Sequence, residues 1–209
     1  MEPETTAQRL LKNAERLMAQ KGIAATSVRE ITEASDANVA SVNYYFGSKS
    51  ELLLELLKSR FAQLDAELLI RVTAAEENAA SHKPDVCNLT EAYFGTLAHL
   101  GFNADTGQLD PFILLIQRAS AEQEAVLERA QDYHAPGITK LKDLLATFVP
   151  EDRRQYLSMP TLLDLMFTAS VAAMPSMSAD NKNEIRLFAI RGFLSAGVEA
   201  YLNRIAGNA

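Results

Sequence analysis

The sequence lacks most features of secreted and membrane-spanning proteins. Its 209 residues include no tryptophan and one cysteine. A single cysteine cannot form an internal disulfide. No stretch approaches the roughly 20 apolar residues that span a bilayer. No basic segment followed by an apolar run occurs at the N-terminus, so we expect no signal peptide. Together these absences predict a cytoplasmic protein.

Patterns that would support catalysis are also missing. Cys87 and the three histidines, His82, His99 and His134, are not spaced as zinc ligands. The sequence has no glycine-rich phosphate loop, no nucleophile elbow and no recognisable pair of catalytic carboxylates. We therefore expect neither an enzyme nor a protein that holds a metal or another cofactor.

Glycine and proline are scarce, with nine and seven residues, whereas hydrophobic residues make up 48% of the chain. In most segments the apolar residues recur at three- and four-residue steps, the spacing of an amphipathic helix. The sequence thus predicts an all-α fold. The expected helices are 4–21, 48 to about 77, 89–102, 112–131 with a break near residue 120, 133–149, 151–173 in two pieces, and 181–205.

Positive charge is in short supply, since the net charge is −7 and nucleic-acid-binding proteins are often basic. Residues 1–50 hold six basic and six acidic residues, which leaves 14 basic and 21 acidic residues in 51–209. The negative charge is therefore concentrated in the second part. A neutral N-terminal segment can still bind DNA through helix N-termini and a few placed cations.

Residues 26–52, TSVREITEASDANVASVNYYFGSKSEL, have the pattern of two short helices joined by a tight turn. Ser27 and Glu30 have the spacing of a capping box, and Thr26 is an alternative cap. Asn38 can cap the second helix, which a glycine follows. This layout is typical of a DNA-binding helix-turn-helix.

The same stretch resembles the N-terminal DNA-binding domain of the TetR family of bacterial transcriptional regulators. The residues that match the family pattern are Thr26, Ser27, Ile31, Phe46, Lys49 and Leu52. The run Val-Asn-Tyr-Tyr-Phe-Gly-Ser-Lys is similar to that of a subgroup with fatty-acid-responsive repressors. The residues that depart from the family pattern are Asp36 (usually a turn glycine), Ala40, Asn43 and Tyr45.

The helix-turn-helix interpretation assigns two kinds of DNA contact. Side chains suited to base edges in the major groove are Asn38, Val39, Ser41, Val42 and Tyr44. Side chains suited to phosphates are Thr26, Ser27, Asn43, Tyr45 and Lys49. Arg29 can contact the DNA backbone or pair with Glu33 four residues on. Alternatively, either tyrosine packs beneath the helix and Thr26 is only a cap.

The resemblance implies two domains, a DNA-binding domain at 1–50 and a helical ligand-binding and dimerisation domain at 51–209. The last helix has two apolar stripes, one of which can face a partner chain, although a central helix of a monomer is an alternative. The residues assigned to a homodimer interface are Leu163, Phe167, Leu187, Ile190, Leu194, Val198 and Tyr201.

A small-molecule pocket is also implied by the resemblance, and not by periodicity. The residues assigned to it are Phe94, His99, Phe102, Phe112, Ile116, Arg118, Tyr133 and Phe167. An apolar or acyl-chain effector would suit this set, with Arg118 as the partner of a carboxylate. Ordinary core packing is the alternative for each of these residues.

The function predicted from these patterns is a ligand-responsive DNA-binding regulator. We expect a repressor that binds a palindromic operator as a dimer and is released by a small apolar effector. The alternative is a helical module that binds a small molecule or partner and carries a degenerate helix-turn-helix. The neutral charge of 1–50 and the four departures from the family pattern support that alternative.

Overall fold

The computed structural model describes residues 4–79, 83–103, 108–131, 135–173 and 183–207, and only the backbone at 183–190 and a few other positions. The described helices confirm the all-α prediction. Their bounds are α1 Thr6–Lys21, α2 Val28–Ala34, α3 Val39–Phe46, α4 Lys49–Asn78, α5 Val86–Gly101, α6 Pro111–Glu122, α7 Glu124–Gln131, α8 Pro136–Ala146, α9 Met159–Ala173 and α10 Asn183–Ala206.

Two minor elements accompany these helices. A 3-10 helix covers Glu151–Tyr156, and a two-residue antiparallel ladder pairs β1, Phe102–Asn103, with β2, Gln108–Leu109. The predicted helix at 112–131 is interrupted at Gln123, whose extended φ of −147° is incompatible with a helix. Pro160 lies in the first turn of α9, where a missing N–H is tolerated.

The described residues form two compact units. The first unit contains α1, α2, α3, the part of α4 up to Gln63, α6 and α7. The second unit contains the rest of α4, α5, the two strands, α8, α9 and α10. The division does not follow the expected boundary after residue 50, because α6 and α7 group with the helix-turn-helix.

The core of the first unit follows from the apolar stripe of α1. Leu10, Ala14 and Met18 recur at four-residue steps and are completely buried. Helix α1 packs against α6 as well as α2. Buried side chains that α6 contributes are Phe112, Ile113, Leu115, Ile116 and Ala119.

In the second unit, α5 is the most buried helix and packs against α8, α9 and α10. Leu97 of α5, Leu141 and Leu145 of α8, Met166 of α9 and Leu202 of α10 are buried. No described helix combines the length and hydrophobicity needed to cross a membrane.

Candidate DNA-binding site

The helix-turn-helix begins with the capping box that the sequence predicts. The Glu30 backbone N–H donates to Ser27 Oγ at 3.2 Å, and the Ser27 backbone N–H donates to Glu30 Oε2 at 2.9 Å. Lys21 also donates to the Glu30 carboxylate. The hydrogen bond from Lys21, together with those from Ser27, lowers the pKa of Glu30 to about 2.

The turn between α2 and α3 contains Asp36 at a φ of +47°, in the left-handed region. Asp tolerates this region better than most residues, although glycine adopts it without strain. This geometry explains why the family usually has a glycine here. After the turn, Asn38 Oδ1 accepts a hydrogen bond from the Ala40 backbone N–H at 2.7 Å and caps α3, as predicted.

Helix α3 presents an apolar and aromatic surface to solvent. Tyr44 is 83% exposed, and Val39 is half exposed. Tyr45 is 47% exposed, and its ring centroid lies 4.9 Å from that of Tyr44 in an edge arrangement. Asn43 is exposed and Ser41 is half-buried. Neither tyrosine packs beneath the helix, so both side chains are accessible to a DNA duplex.

Two of the assigned DNA contacts require correction. Val42 is completely buried, because it lies on the inward face of α3 with Phe46 one turn on. Thr26 is also completely buried, and its hydroxyl donates to the Gly22 carbonyl at 2.8 Å. Val42 therefore cannot contact a thymine methyl, and Thr26 cannot contact a phosphate. Both residues stabilise the fold of the helix-turn-helix instead.

The two cations assigned to DNA contacts already have partners within the chain. Lys49 Nζ donates to the carbonyl oxygens of Ile23 and Thr26 at 2.6 and 2.5 Å. Arg29 Nε donates to Glu33 Oε1 at 2.8 Å, and this hydrogen bond raises the pKa of Arg29. The Arg29–Glu33 pair is the alternative that the sequence left open. Any phosphate contact by Lys49 or Arg29 would therefore compete with an existing interaction.

The residues assigned to a ligand pocket differ in their burial. Phe94, Phe102, Phe112 and Ile116 are buried, Phe167 is half-buried, and Tyr133 lies outside the described residues. Two assignments are corrected. His99 is exposed, and Arg118 donates to the carbonyl oxygens of Ala19 and Gln20, so its guanidinium caps α1. The sequence could not reveal the partners of Arg118, because hydrogen bonds between residues far apart in the chain leave no local pattern.

An open groove of about 340 Å³ lies between α4 and α5, within the second unit. Its lining is mostly small or polar and includes none of the assigned ligand residues. The lining residues are Arg71, Ala75, Asn78, Ala79, Asn88, Glu91 and Ala92.

The dimer-interface assignments are partly corrected. Leu194 and Val198 are buried inside the second unit, and the Tyr201 hydroxyl accepts a hydrogen bond from the Ser158 backbone N–H at 3.2 Å. Leu163 and Phe167 are half-buried, whereas the side chains of Leu187 and Ile190 lie outside the described residues. Among the side chains of α9 and α10 that the structure describes, Leu165 and Phe193 are large, apolar and exposed.

Comparison with known proteins shows which family the helix-turn-helix resembles. Residues 10–56 match the family model described as bacterial regulatory proteins, tetR family. The helix-turn-helix region of the chain is therefore similar to that of the TetR family. The chain is also 26% identical over 183 residues to the probable HTH-type transcriptional regulator YttP of Bacillus subtilis strain 168, covering 87% of this chain and 82% of YttP. The chain is accordingly a transcriptional regulator with a DNA-binding helix-turn-helix, and not an enzyme.

Solved structures of transcriptional regulators share the fold of this chain. A TetR transcriptional regulator from Legionella pneumophila superposes with a TM-score of 0.61 at 20% identity, covering 94% of this chain and 99% of the other. The regulator FadR from Bacillus subtilis, solved in complex with stearoyl-CoA, superposes with a TM-score of 0.53 at 14% identity, covering 93% and 96%. These identities support a common fold only.

Proposed function

We propose that this chain is a cytoplasmic, homodimeric repressor of the TetR family that binds a palindromic operator and is released by a small apolar effector. The observation that carries the proposal is the exposed surface of α3, the second helix of a capped helix-turn-helix. Helix-turn-helix proteins that bind in the major groove place their second helix against the base edges. The side chains proposed for base edges are Asn38, Val39, Ser41 and Tyr44, and those proposed for phosphates are Ser27, Arg29, Asn43, Tyr45 and Lys49.

Two cations of each subunit are proposed to contact phosphates, and their number sets how strongly binding depends on salt. If Arg29 and Lys49 each neutralise one phosphate, a dimer neutralises about four. The slope of log affinity against log salt would then be about −3.6, at roughly −0.9 per phosphate. Uncharged contacts from Asn43 and Tyr45 would add orientation without adding to the slope.

Two observations support the homodimer. Leu165 of α9 is 57% exposed and Phe193 of α10 is 78% exposed, and these two helices pack together in the second unit. Exposed large apolar side chains on adjacent helices are typical of an interaction surface. A two-fold symmetric operator also requires two reading helices held at a fixed spacing.

The effector is proposed to carry an acyl chain or a similar apolar group. The second unit contains several aromatic side chains, including Phe94, Phe102 and Phe167, and a structural neighbour was solved with stearoyl-CoA. Release requires that the effector bind better to the form that does not bind DNA. The two reading helices would then move to a spacing that no longer matches the operator half-sites.

The test is selection of bound duplexes from a random DNA pool, followed by salt titration of the enriched sequence. We expect a palindrome with half-sites about one helical turn apart. Lys49→Ala should weaken binding to the enriched and scrambled duplexes alike, whereas Ser41→Ala should relax the base preference. Equal losses on both duplexes for both variants would contradict the assignment of α3 to base recognition.

The competing function, a binding module with a degenerate helix-turn-helix, is favoured by one observation. Both cations assigned to DNA contacts, Lys49 and Arg29, are engaged within the chain. This function would be supported if no duplex were enriched, with and without acyl-chain compounds, while those compounds still bound to the protein.

A further inference from the structure

The turn that leads from α1 into the helix-turn-helix is held by a helix far away in the sequence. This turn, residues 22–26, sets the position at which α2 begins. Arg118 and Glu122, near the C-terminal end of α6, contact the turn and the end of α1 over separations of 98 and 99 residues. All of these groups belong to the first unit.

Arg118 caps the C-terminus of α1. Its Nε donates to the Ala19 carbonyl oxygen at 2.8 Å, and a terminal nitrogen donates to the Gln20 carbonyl oxygen at 3.2 Å. Carbonyl groups in the last turn of a helix have no N–H partner further along the same helix. A cation at this end also interacts favourably with the helix dipole. Arg118 therefore fixes the direction in which the chain leaves α1.

Glu122 holds the next part of the turn. Its Oε2 accepts a hydrogen bond from the Ala24 backbone N–H at 2.8 Å. Gly22, two residues earlier, has a φ of +102°, and a Cβ added there would lie 3.2 Å from Glu122 Oε1. The backbone of the turn thus lies against the carboxylate, so a displacement of Glu122 must displace the turn.

The other end of α6 is fixed to α1 as well. Asp110 caps α6 by accepting a hydrogen bond from the Phe112 backbone N–H at 2.9 Å, and it pairs with Arg60. Arg60 Nε lies 3.1 Å from Glu15 Oε1 on α1, and its guanidinium stacks over the Phe112 ring. Helix α6 is consequently anchored along its length and can support the turn rigidly.

We propose that Arg118 and Glu122 are positioning residues for DNA recognition. They fix the turn before α2, and α2 packs directly on the reading helix α3. Neither side chain belongs to the helix-turn-helix, so each acts through the position of α2. The inference rests on the proposed DNA-binding function and adds two determinants of operator affinity that lie outside residues 1–63.

The test compares four variants of the full-length protein. Arg118→Met keeps a long side chain but removes the donors, and Glu122→Leu removes the acceptor. Glu122→Gln keeps an oxygen that can accept from Ala24, and Gln117→Met changes an exposed residue of the same helix as a control. Affinity is measured for the selected operator and for a scrambled duplex at several salt concentrations. Hydrogen exchange of residues 22–26 is measured without DNA.

We expect Arg118→Met and Glu122→Leu to lower operator affinity about tenfold, the size expected from losing a hydrogen bond to a charged group. The salt slope should not change, because no phosphate contact is lost. Affinity for the scrambled duplex should also be retained. Amide exchange in 22–26 should accelerate about tenfold, and Glu122→Gln and Gln117→Met should behave like the wild type.

Two results would overturn the inference alone. One is a wild-type protein that binds its operator while the folded variants bind equally well. The other is a salt slope that becomes shallower by about 1.8 in the dimer, which would make Arg118 a phosphate contact in each subunit. If Arg118→Met fails to fold, the Glu122→Leu and Glu122→Gln pair decides the question. A wild-type protein that binds no duplex would overturn the proposed function and the recognition role together. Hydrogen exchange still shows, in that case, whether α6 holds the turn.

Discussion

The carboxylate of Asp65 in α4 accepts a hydrogen bond from the backbone N–H of Gly137, with the two atoms 3.0 Å apart. It also accepts one from Ile138 at 2.8 Å. The residue at the N-cap of α8, Ala135, provides no side-chain hydrogen bond. A buried carboxylate from another helix therefore caps α8 and interacts favourably with the positive end of its dipole.

Gly137→Ala is expected to destabilise the protein by about 1–3 kcal/mol, the range for overpacking. A Cβ at residue 137 would lie 2.4 Å from the Asp65 carbonyl oxygen and 2.8 Å from the Leu69 backbone nitrogen. Asp65→Ala should cost about 1–2 kcal/mol through loss of the cap. Urea unfolding gives both values, with the exposed Thr139→Ala as a control. If Gly137→Ala matched that control, the close packing of α8 on α4 would be refuted.

Asp36→Ala should lower the free energy of unfolding by about 1 kcal/mol, because alanine is strained in the left-handed region. Asp36→Gly removes that strain and should be more stable than Asp36→Ala. The glycine variant also removes a negative charge from the turn before α3, so its affinity for specific and scrambled DNA should rise. Thermal unfolding and binding titrations measure the two effects, and Glu55→Ala on α4 controls for the loss of an exposed acid. Equal stability of the alanine and glycine variants would count against the strain.

Val42→Ala and Val39→Ala separate a core position of α3 from a surface position. Val42 is completely buried, so its truncation should cost about 2 kcal/mol of stability. Val39 is half exposed, so its truncation should change stability by less than about 0.5 kcal/mol. Only Val39→Ala should alter the base preference in a duplex selection. The opposite outcome, a stable Val42→Ala with altered base preference, would return Val42 to the DNA surface.

The stability contribution of Glu15 is expected to depend on pH. Burial raises the pKa of Glu15 above its usual 4.5, Arg60 opposes this shift, and Asp110 reinforces it. The folded state then binds the proton more tightly than the unfolded chain. The contribution therefore falls as the pH rises from 4.5 through the raised pKa.

Glu15→Gln cannot ionise, so its Tm relative to the wild type should improve between about pH 4 and pH 7. The exposed Glu55→Gln on α4 is the matched control. A Tm difference between Glu15→Gln and wild type that stayed constant would show that Arg60 cancels the effect of burial, and a change in the opposite direction would show that Arg60 outweighs it.

Phe193→Asp is expected to weaken the proposed dimer at least about 100-fold, because an unpaired charge would be buried in an apolar interface. Sedimentation equilibrium measures the dissociation constant. Ile70→Asp replaces another exposed apolar residue, on α4, and should leave the dimer intact. If both variants dissociated, or neither did, the interface would lie elsewhere.

The sequence predicted the parts of the fold that depend on local chemistry. The cap by Asn38 and the capping box of Ser27 and Glu30 involve residues two or three positions apart, and both are present. Helix existence followed from apolar periodicity. The sequence also predicted a break near residue 120, and the structure has an interruption at Gln123. The helix expected from residue 133 is described from Pro136, and proline is a common first residue of a helix.

The sequence could not predict which apolar stripe faces inward or which partner a long polar side chain finds. Both stripes of the last helix are apolar, and the fold buries Leu194 and Val198 while Phe193 is exposed. Arg118 was assigned to a ligand, yet its partners lie in a helix 98 and 99 residues earlier. Tertiary packing alone decides such cases.

The attachment of α6 to α1 has a consequence for how the protein is made. A ribosome delivers the N-terminus first, so residues 4–63 emerge long before the segment that covers the apolar face of α1. Until Glu122 has left the exit tunnel, the first unit is incomplete, and the face of α1 that packs against α6 is exposed to solvent. In a chimera joined at residue 50, the helix-turn-helix of one regulator would pack against the α6 of another. The contacts that Arg118 and Glu122 make with the turn at 22–26 would then be missing permanently.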